Sequence, residues 1–319
     1  MATAPLAILN RIIETPNSNV PEPVLTLADL DRWSTSGTTL AVLGHPIKHS
    51  ISPAMHNAAL AVMAGTDPRY SNWRYVRFDV PPADLPVALE RLHAAGFFGL
   101  NLTVPHKVLA VPHVDPIDAA ARPIGAVNTL RRTASGWAGF NTDGYGLATA
   151  VAEAINLELA GRDIILLGAG GAARGAAVEC LQRGCRSLWI ANRTRANLDA
   201  LISALAAVAG PIPVRGFDPA SPPADIPGDA LIVNATSAGL RSDDAPPLDL
   251  TRVPRPAGVY DMIYNPPQTP LLAQAASLKL PHANGLSMLV HQGVRALEIW
   301  SGTAVPVETM RSAALAALL

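Results

Sequence analysis

The stretch DIILLGAGGAARGAAVECLQRGCRSLWIANR, residues 163–193, decides the fold class. An apolar strand leads into the glycine-rich turn GAGGAA, a helix follows the turn, and a second apolar strand ends the unit. Parallel strands joined through a helix in this way build a doubly wound α/β sheet. A turn in this position is typical of a dinucleotide site, because the amides at the helix N-terminus attract a pyrophosphate.

The glycine-rich turn supplies the predicted cofactor contacts. Gly168 permits the tight turn, and Gly170 lets the backbone approach the pyrophosphate closely. A tight turn with a purely structural role is the alternative interpretation. The cofactor-binding residues predicted in this turn are Gly168, Ala169, Gly170, Gly171 and Ala172.

The end of the second strand favours NADP over NAD. An NAD-binding unit carries a carboxylate there for the ribose 2′-hydroxyl, whereas this sequence has Asn192, Arg193 and Thr194. A guanidinium binds a 2′-phosphate through two parallel hydrogen bonds, and a carboxylate would repel it. The alternative is that Arg193 and Arg195 are solvated loop residues.

Strands and helices alternate along the rest of the chain. The predicted strands are TLAVLG (39–44), WRYVRFDV (73–80), FGLNLTV (98–104) and ALIVNAT (230–236), with amphipathic helices between and after them. The alternation predicts an α/β protein with mixed, largely parallel sheets. The proline-rich stretch 211–227 is predicted to be a surface loop.

A helix over residues 144–160 marks the predicted domain boundary. We expect a first domain over residues 39–143 and a Rossmann-type domain over residues 144–284. Residues 1–38 carry scattered prolines and are predicted to be an extension outside the core, as a packed or a partly disordered arm, with a short helical stretch at 27–33.

Composition narrows the classes of partner. The formal net charge of −1 gives no basic field for nucleic acid or an anionic membrane, so we expect small-molecule partners. No apolar run reaches the roughly 18 residues of a membrane span and no secretory pattern opens the sequence, which predicts a cytoplasmic protein. Cys180 and Cys185 are predicted to be reduced structural thiols. The histidines have no metal-ligand spacing, so no metal site is predicted.

Polar residues gather where the strands of the first domain end. Taken singly, a lysine is usually a solvated surface group and an asparagine or threonine a turn residue. The residues in question are Ser50 and Ser52 in GHPIKHSISPAMHN, Asn101, Thr103 and Lys107 in NLTVPHK, Asn128 in GAVNT, and Asp143 in NTDG.

Together these strings resemble the shikimate dehydrogenase family, whose later strings NATSAG, DMIYNPPQTPLL and GLSMLVHQG follow in order. The resemblance covers residues 40–302. It implies an N-terminal substrate-binding domain, which residues 285–319 complete, and a C-terminal NADP-binding Rossmann domain. The implied activity is the reversible, NADPH-dependent reduction of 3-dehydroshikimate to shikimate, a step toward the aromatic amino acids. Both a monomer and a homodimer stay open.

Lys107 and Asp143 match the catalytic pair of that family. Hydride transfer to a carbonyl carbon leaves an alkoxide that needs a proton, and an ammonium group can donate it. A neighbouring carboxylate can orient the ammonium and accept a substrate hydroxyl. The resemblance therefore implies that Lys107 is the acid in reduction and the base in oxidation.

The resemblance also implies the binding residues. Those of the substrate are Ser50 and Ser52 for its carboxylate, and Asn101, Thr103, Asn128, Tyr264 and Gln292, with the catalytic pair, for its ring hydroxyls. Further residues near the cofactor are Thr236, Ser237, Met262 and Gly285.

The sequence departs from the family at Asn197, where a basic residue is usual, so Arg195 is the candidate replacement in a 2′-phosphate clamp. One alternative function is an NAD-dependent quinate or quinate/shikimate dehydrogenase, which Arg193 and Ser52 argue against. The other is a ligand-sensing homologue without activity, which has no need of both Lys107 and Asp143.

Overall fold

The computed structural model describes residues 23–34, 36–241 and 243–319 and divides into two compact units. Unit 1 extends through Asp118 from the start of the described chain and includes Ala126–Phe140 and Ala296–Leu319. Unit 2 comprises Ala119–Gly125 and Asn141–Arg295. The division falls before Asp143, so that residue belongs to unit 2, and the C-terminal return to unit 1 begins at Ala296 instead of residue 285.

The helices of both units follow the apolar periodicity of the sequence. They are α1 (Ser52–Thr66), α2 (Leu85–Ala94), α3 (His106–Leu109), α4 (Asp143–Ile155), α5 (Gly171–Gln182), α6 (Arg195–Ala209), α7 (Pro270–Ser277), α8 (Leu286–Ser301) and α9 (Val307–Ala316). In α2 the buried side chains are those of Leu85, Ala88, Leu89 and Leu92, which lie on one face of a 3.6-residue repeat. Gly96, at φ 84°, follows this helix in the left-handed conformation.

The sheet of unit 1 is mixed. Its strands are β1 (Val24–Leu25), β2 (Thr39–Gly44), β3 (Arg74–Asp79), β4 (Gly99–Leu102), β5 (Thr129–Arg132) and β6 (Trp137–Phe140). Their order is β1-β3-β2-β4-β5-β6, parallel from β1 to β4 and antiparallel from β4 to β6. Every residue of β2 is buried, which explains its unbroken apolar sequence. In the same unit, α9 packs against α1.

The described part of the segment before β2 has the packed form of the expected arm, and it contacts the core that it was expected to lie outside. Val24 pairs with Arg77 in parallel β-structure, Leu25 is buried, and the Trp33 ring lies 5.0 Å from that of Phe97 between centroids. The helical stretch expected at 27–33 is present as a 3-10 turn, Leu27–Arg32. A two-residue strand leaves no periodic signal, so the sequence alone did not indicate it. The remainder of that prediction, residues 1–22, lies outside the described residues.

The sheet of unit 2 is parallel throughout. Its strands are β7 (Asp163–Leu167), β8 (Ser187–Ala191), β9 (Val214–Phe217), β10 (Leu231–Asn234), β11 (Gly258–Asp261) and β12 (His282–Ala283). The order β12-β11-β10-β7-β8-β9 reverses direction between β7 and β10, as in the Rossmann arrangement. Ligands of such sheets bind beyond the carboxyl ends of the strands at this switch point.

The predicted surface loop over residues 211–227 is wrong in part, because β9 lies within it. Leu188 of β8 pairs with Val214 and donates a backbone hydrogen bond to the Pro213 carbonyl at 2.9 Å. At the edge of a sheet a proline can stand next to a strand without removing a needed donor. The prolines therefore indicated a loop at a place where the chain forms an edge strand.

The two cysteines are buried free thiols, as expected. Burial raises the pKa of both, that of Cys185 to about 11, so both are protonated at neutral pH. No helix in the described ranges has the length and apolar character to cross a membrane. Over the same ranges, no three His, Cys, Asp or Glu side chains are grouped as a metal site would require.

Candidate active site

The candidate substrate residues of unit 1 lie on loops at one edge of its sheet. Strands β2 and β4 are parallel neighbours, so their carboxyl ends meet at this edge. The Thr103 backbone N–H donates to the Leu43 carbonyl at 2.9 Å, and that of His45 donates to Val104 at 3.2 Å. A Cβ on Gly44 would lie 2.5 Å from Thr103 Cγ2, so the glycine leaves room for the Thr103 side chain.

The two serines stand at the start of α1. The Ser52 N–H donates to Ser50 Oγ at 3.4 Å, and Pro53 occupies the first turn of the helix. The Arg77 guanidinium donates to the carbonyls of Lys48 and Ser50 at 2.8 and 3.0 Å. These hydrogen bonds fix the loop between β2 and α1. Two hydroxyls at a helix N-terminus form a surface suited to a carboxylate.

The second loop brings Thr103, Lys107 and Asn128 together. The Thr103 carbonyl accepts the His106 N–H at 2.8 Å where α3 begins, and the Lys107 carbonyl accepts the Val127 N–H at 2.8 Å. Because β5 runs antiparallel to β4, it starts where β4 ends, and the Leu102 N–H donates to the Asn128 carbonyl at 2.9 Å. Lys107 is half-buried and Asn128 is fully buried.

Asn101 occupies a different position from the one expected. Its Oδ1 accepts the Tyr75 hydroxyl at 2.7 Å, and its Nδ2 donates to the Asn128 carbonyl and to Thr129 Oγ1, each at 3.0 Å. Both amide N–H groups are thus engaged inside unit 1, and the residue is 7% exposed. Contact of Asn101 with the ring hydroxyls stays a prediction.

The glycine turn of unit 2 follows β7 as the sequence predicts. Gly168 has φ 110°, and a Cβ there would approach Thr236 Cγ2 to 3.0 Å. Gly170 precedes α5 in extended conformation, and Cβ atoms on Gly170 and Gly171 would have no described atom within 4 Å. The fold itself therefore requires glycine only at Gly168. The space over the other two suits an anionic group bound to the α5 N-terminus, which fits a dinucleotide pyrophosphate.

The residues after β8 carry an exposed guanidinium, that of Arg193. Asn192 Nδ2 donates to the Thr194 carbonyl at 2.8 Å, which shapes the turn around it. Arg195 opens α6 and donates to Asp199 at 2.9 Å, one helical turn on. An exposed pair of this kind contributes little to stability, but it directs Arg195 along its own helix. Arg193 is thus the stronger candidate for a 2′-phosphate.

A buried carboxylate fixes the loops after β10 and β11. Asp261 is 0% exposed and accepts hydrogen bonds from Asn234 Nδ2 at 2.9 Å, Ile263 N at 3.0 Å and Thr269 Oγ1 at 2.6 Å. Asn234 Oδ1 in turn accepts the N–H and hydroxyl of Thr236, at 3.0 and 2.8 Å. Burial raises the pKa of Asp261. This network, which the sequence reasoning missed, holds the loops that carry the expected cofactor residues Thr236, Ser237 and Met262.

Gly285 and Met262 are brought together at the start of α8. A Cβ on Gly285 would collide with the Met262 carbonyl, and the Gly285 N–H donates to the Ile263 carbonyl at 3.0 Å. Tyr264, an expected substrate residue, follows Met262 by two positions. Burial raises the pKa of its hydroxyl.

Asp143 and Gln292 lie on two helices of unit 2 in close contact. A Cβ on Gly146 would lie 2.8 Å from the Met288 carbonyl and 3.0 Å from Gln292 Cβ. Asp143 begins α4 one turn before Gly146 and so lies on the same face of that helix. The Asp143 N–H donates to Asn141 Oδ1 at 3.0 Å. Unit 2 therefore contains the expected carboxylate, and unit 1 contains Lys107.

The glycine turn and the strand order of unit 2 define a dinucleotide-binding protein of the Rossmann type. Residues 42–130 match the family model of the shikimate dehydrogenase substrate binding domain, and residues 285–315 that of the shikimate 5′-dehydrogenase C-terminal domain. The shikimate dehydrogenase (NADP(+)) of Symbiobacterium thermophilum is 41% identical over 294 residues, 90% of this chain and 98% of the relative. The chain belongs to the shikimate dehydrogenase family.

Solved structures confirm the predicted fold class. The shikimate 5-dehydrogenase of Thermus thermophilus in complex with NADP(H) and shikimate is 35% identical, with a TM-score of 0.75, over 88% of this chain and 99% of the other. The ligand-free 5-ketofructose reductase of Gluconobacter sp. strain CHM43 is 30% identical, with a TM-score of 0.78, over 89% and 99%. One fold thus serves enzymes named for different substrates.

Proposed function

We propose that this protein is an NADP-dependent shikimate dehydrogenase, which interconverts 3-dehydroshikimate and shikimate. The observation that carries the proposal is the 41% identity, over 90% of the chain, to a relative named for that activity. The polar loops of unit 1 and the glycine turn of unit 2 support it. In this proposal unit 1 binds the substrate, unit 2 binds NADP, and the enzyme serves aromatic amino acid biosynthesis in the cytoplasm.

The substrate carboxylate binds at the start of α1 in this proposal. Ser50 and Ser52 offer two short hydroxyl donors there, and the α1 N-terminus adds the partial positive charge of its amides. Thr103, Asn128, Tyr264 and Gln292 supply donors and acceptors for the ring hydroxyls. A small polyhydroxylated acid needs such short polar groups, because each oxygen buried without a partner costs binding free energy.

Proton transfer belongs to Lys107 in this proposal. Bound NADPH supplies the hydride to the carbonyl carbon. Lys107 Nζ gives a proton to the oxygen that becomes an alkoxide, and it takes the proton back in the oxidation. Asp143 accepts a hydrogen bond from a substrate hydroxyl and orients the ammonium in this proposal.

The backbone amides from Gly168 to Ala172 hold the pyrophosphate, and Asn192, Arg193 and Thr194 hold the adenosine 2′-phosphate. Thr236, Ser237, Met262 and Gly285 line the remainder of the cofactor site. The carboxylate network around Asp261 supports this part of the proposal, because it fixes the loops on which three of these residues stand.

The test is a substrate and cofactor panel on the purified protein. We expect NADP reduction with shikimate to exceed NAD reduction with shikimate, NAD reduction with quinate, and NADPH oxidation with 5-ketofructose. Preference for quinate with NAD would favour the quinate/shikimate alternative, and 5-ketofructose reduction would reassign the substrate. Binding of shikimate without any turnover would favour a ligand-sensing homologue.

A further inference from the structure

A buried series of hydrogen bonds in unit 1 leads from Tyr75 to Asn128. The Tyr75 hydroxyl donates to Asn101 Oδ1 at 2.7 Å, Asn101 Nδ2 donates to Thr129 Oγ1 at 3.0 Å, and the Thr129 hydroxyl donates to Asn128 Oδ1 at 3.0 Å. These residues are between 0% and 7% exposed. Buried polar groups in a sheet are uncommon, so a continuous series of them suggests a specific task.

The series has a single direction. The Asn101 oxygen faces the Tyr75 hydroxyl, so the Asn101 N–H groups face β5. Thr129 Oγ1 accepts one of these N–H groups, and its hydroxyl hydrogen is donated to Asn128 Oδ1. The Asn128 oxygen is therefore engaged by Thr129, and Nδ2 is the donor end of that amide.

Burial makes this direction strict. If the Asn128 amide were reversed, the Thr129 hydroxyl hydrogen would point at an amide N–H₂ group, and the hydrogen bond between the two side chains would be lost. Packing restrains the other end of the series, because the His56 ring stacks on Tyr75 with centroids 4.1 Å apart. The same histidine ring donates through Nδ1 to the Ser52 carbonyl at 2.9 Å. The series thus begins beside one expected substrate residue and ends on another.

We propose that Tyr75, Asn101 and Thr129 are positioning residues, which hold the Asn128 amide with its N–H₂ end toward a substrate oxygen. The inference rests on the proposed function and deepens it. Asn101 acts through Asn128 and Thr129 in this account and does not contact the ring hydroxyls. Tyr75 and Thr129 thereby gain a role in substrate recognition.

The first experiment compares two identical substitutions in one sheet. Thr129→Val removes the hydroxyl that engages Asn128 Oδ1, and we expect the KM for shikimate to rise about 5- to 30-fold. The KM for NADP should change less than about 2-fold, because the cofactor does not depend on this amide. Thr129→Ser keeps the hydroxyl and should restore the shikimate KM. The matched control is Thr39→Val in β2, since the buried Thr39 hydroxyl has no hydrogen-bond partner among the described residues.

The second experiment is a double-mutant cycle. In an Asn128→Ala background, Thr129→Val should leave the shikimate KM unchanged within about 2-fold, because the group it positions is absent. Tyr75→Phe, which removes one oxygen and keeps the ring packing, should raise the shikimate KM in the Asn128 protein only. This variant carries the test if Thr129→Val does not fold.

The outcomes separate the two proposals. Losses in shikimate KM that multiply in the double mutants, or a Thr129→Val protein no different from Thr39→Val, overturn the positioning role alone. Wild-type protein that does not oxidise shikimate with NADP overturns the proposed function, and the inference fails with it.

Discussion

Unit 1 presents its candidate ligand groups on side chains at the ends of β2 and β4, whereas the turn after β7 in unit 2 has no side chain larger than a methyl group from Gly168 to Ala173. In the proposed function, specificity in unit 1 depends on which oxygen or nitrogen each side chain presents to the substrate. Cofactor binding in unit 2 depends instead on backbone amides and on space that side chains leave open. Substitutions should therefore act differently in the two units.

The largest effect is expected at the side-chain site. Lys107→Met keeps most of the aliphatic length and removes the acid, so kcat should fall roughly 100- to 10,000-fold while the shikimate KM changes much less. Asp143→Asn should also be severely impaired. In the proposed function the two residues act together, so the double mutant should lose far less than the product of the single losses.

Steady-state kinetics of the four proteins check this prediction. A Lys107→Met protein with more than about a tenth of the wild-type kcat would contradict proton transfer by Lys107. Single losses that simply multiply would contradict the pairing with Asp143.

A smaller effect is expected at Arg193, the charged residue among the three that are proposed to bind the 2′-phosphate. Arg193→Ala should raise the KM for NADP roughly 10- to 100-fold, because a charge-assisted phosphate contact is lost, with little change in the KM for NAD. Arg195→Ala is the matched control, since Arg195 is engaged with Asp199. Equal effects of Arg193→Ala on the two cofactors would contradict the 2′-phosphate contact.

Two glycines in one turn separate the fold's requirement from the ligand's. Gly168→Ala forces a Cβ into φ 110° against Thr236, so the free energy of unfolding should fall by about 1 to 3 kcal/mol. Gly170→Ala should leave it unchanged, because Gly170 is extended and its Cβ position is open. The KM for NADP should nevertheless rise several-fold in Gly170→Ala. Urea unfolding and kinetics of both variants measure the difference, and a stability loss in Gly170→Ala would contradict it.

The smallest effect concerns pH and a histidine next to Lys107. His106 is 0% exposed, and its Nε2–H donates to the Val80 carbonyl at 2.8 Å. Nδ1 is then the bare nitrogen, and over the described residues it has no hydrogen-bond partner. Burial lowers the pKa of His106 below its ordinary 6.5, and the nearby His45 acts in the same direction. The unfolded chain therefore takes up this proton first as the pH falls.

The contribution of His106 to the free energy of unfolding should thus be fully present above about pH 6.5 and should be lost as the pH falls through the lowered pKa of His106. Between pH 7.5 and 5.5 this residue should account for at most about 1.4 kcal/mol of the free energy of unfolding. His106→Gln, which can still donate to Val80, should reduce the pH dependence, and the exposed His113→Gln should not. Urea unfolding at both pH values provides the measurement. An identical change in the free energy of unfolding between the two pH values for wild type and His106→Gln would refute the assignment.

Elements with strong, uninterrupted apolar patterns were predicted from the sequence. Short strands that are recognisable only by their pairing with a neighbouring strand were missed. Residues 39–44 match β2 residue for residue, and the βαβ unit over 163–193 was predicted in full, because each is a continuous apolar run ended by glycine or a helix. β1 and β9 escaped notice because two to four residues beside prolines have no period to detect.

The candidate site shows the same limit. The glycine turn was indicated by its place between a strand and a helix, whereas Ser50 and Lys107 were assigned roles only through the family resemblance, because a single serine or lysine near a strand end is unremarkable. The Asp261 network was missed because it joins side chains from adjacent strands and the following loop. An available signal was the carboxylate that ends the apolar run GVYD. The commitment of Asn101 to Tyr75 and Thr129 could not be predicted, because it depends on which cross-strand neighbours face each other.

Unit 1 is discontinuous along the chain, and this has a consequence for synthesis. Its sheet is complete at Phe140, but α9, which packs against α1, begins 167 residues later at Val307. Trp300, whose indole donates to the Leu130 carbonyl at 2.9 Å, also comes late and fills the space beside Gly99. On the ribosome the sheet of unit 1 and α1 therefore emerge before Trp300 and α9. Unit 2 can fold before these last parts of unit 1 are made. Partially made chains should be recognised by chaperones through the uncovered face of α1 until the last helix leaves the exit tunnel.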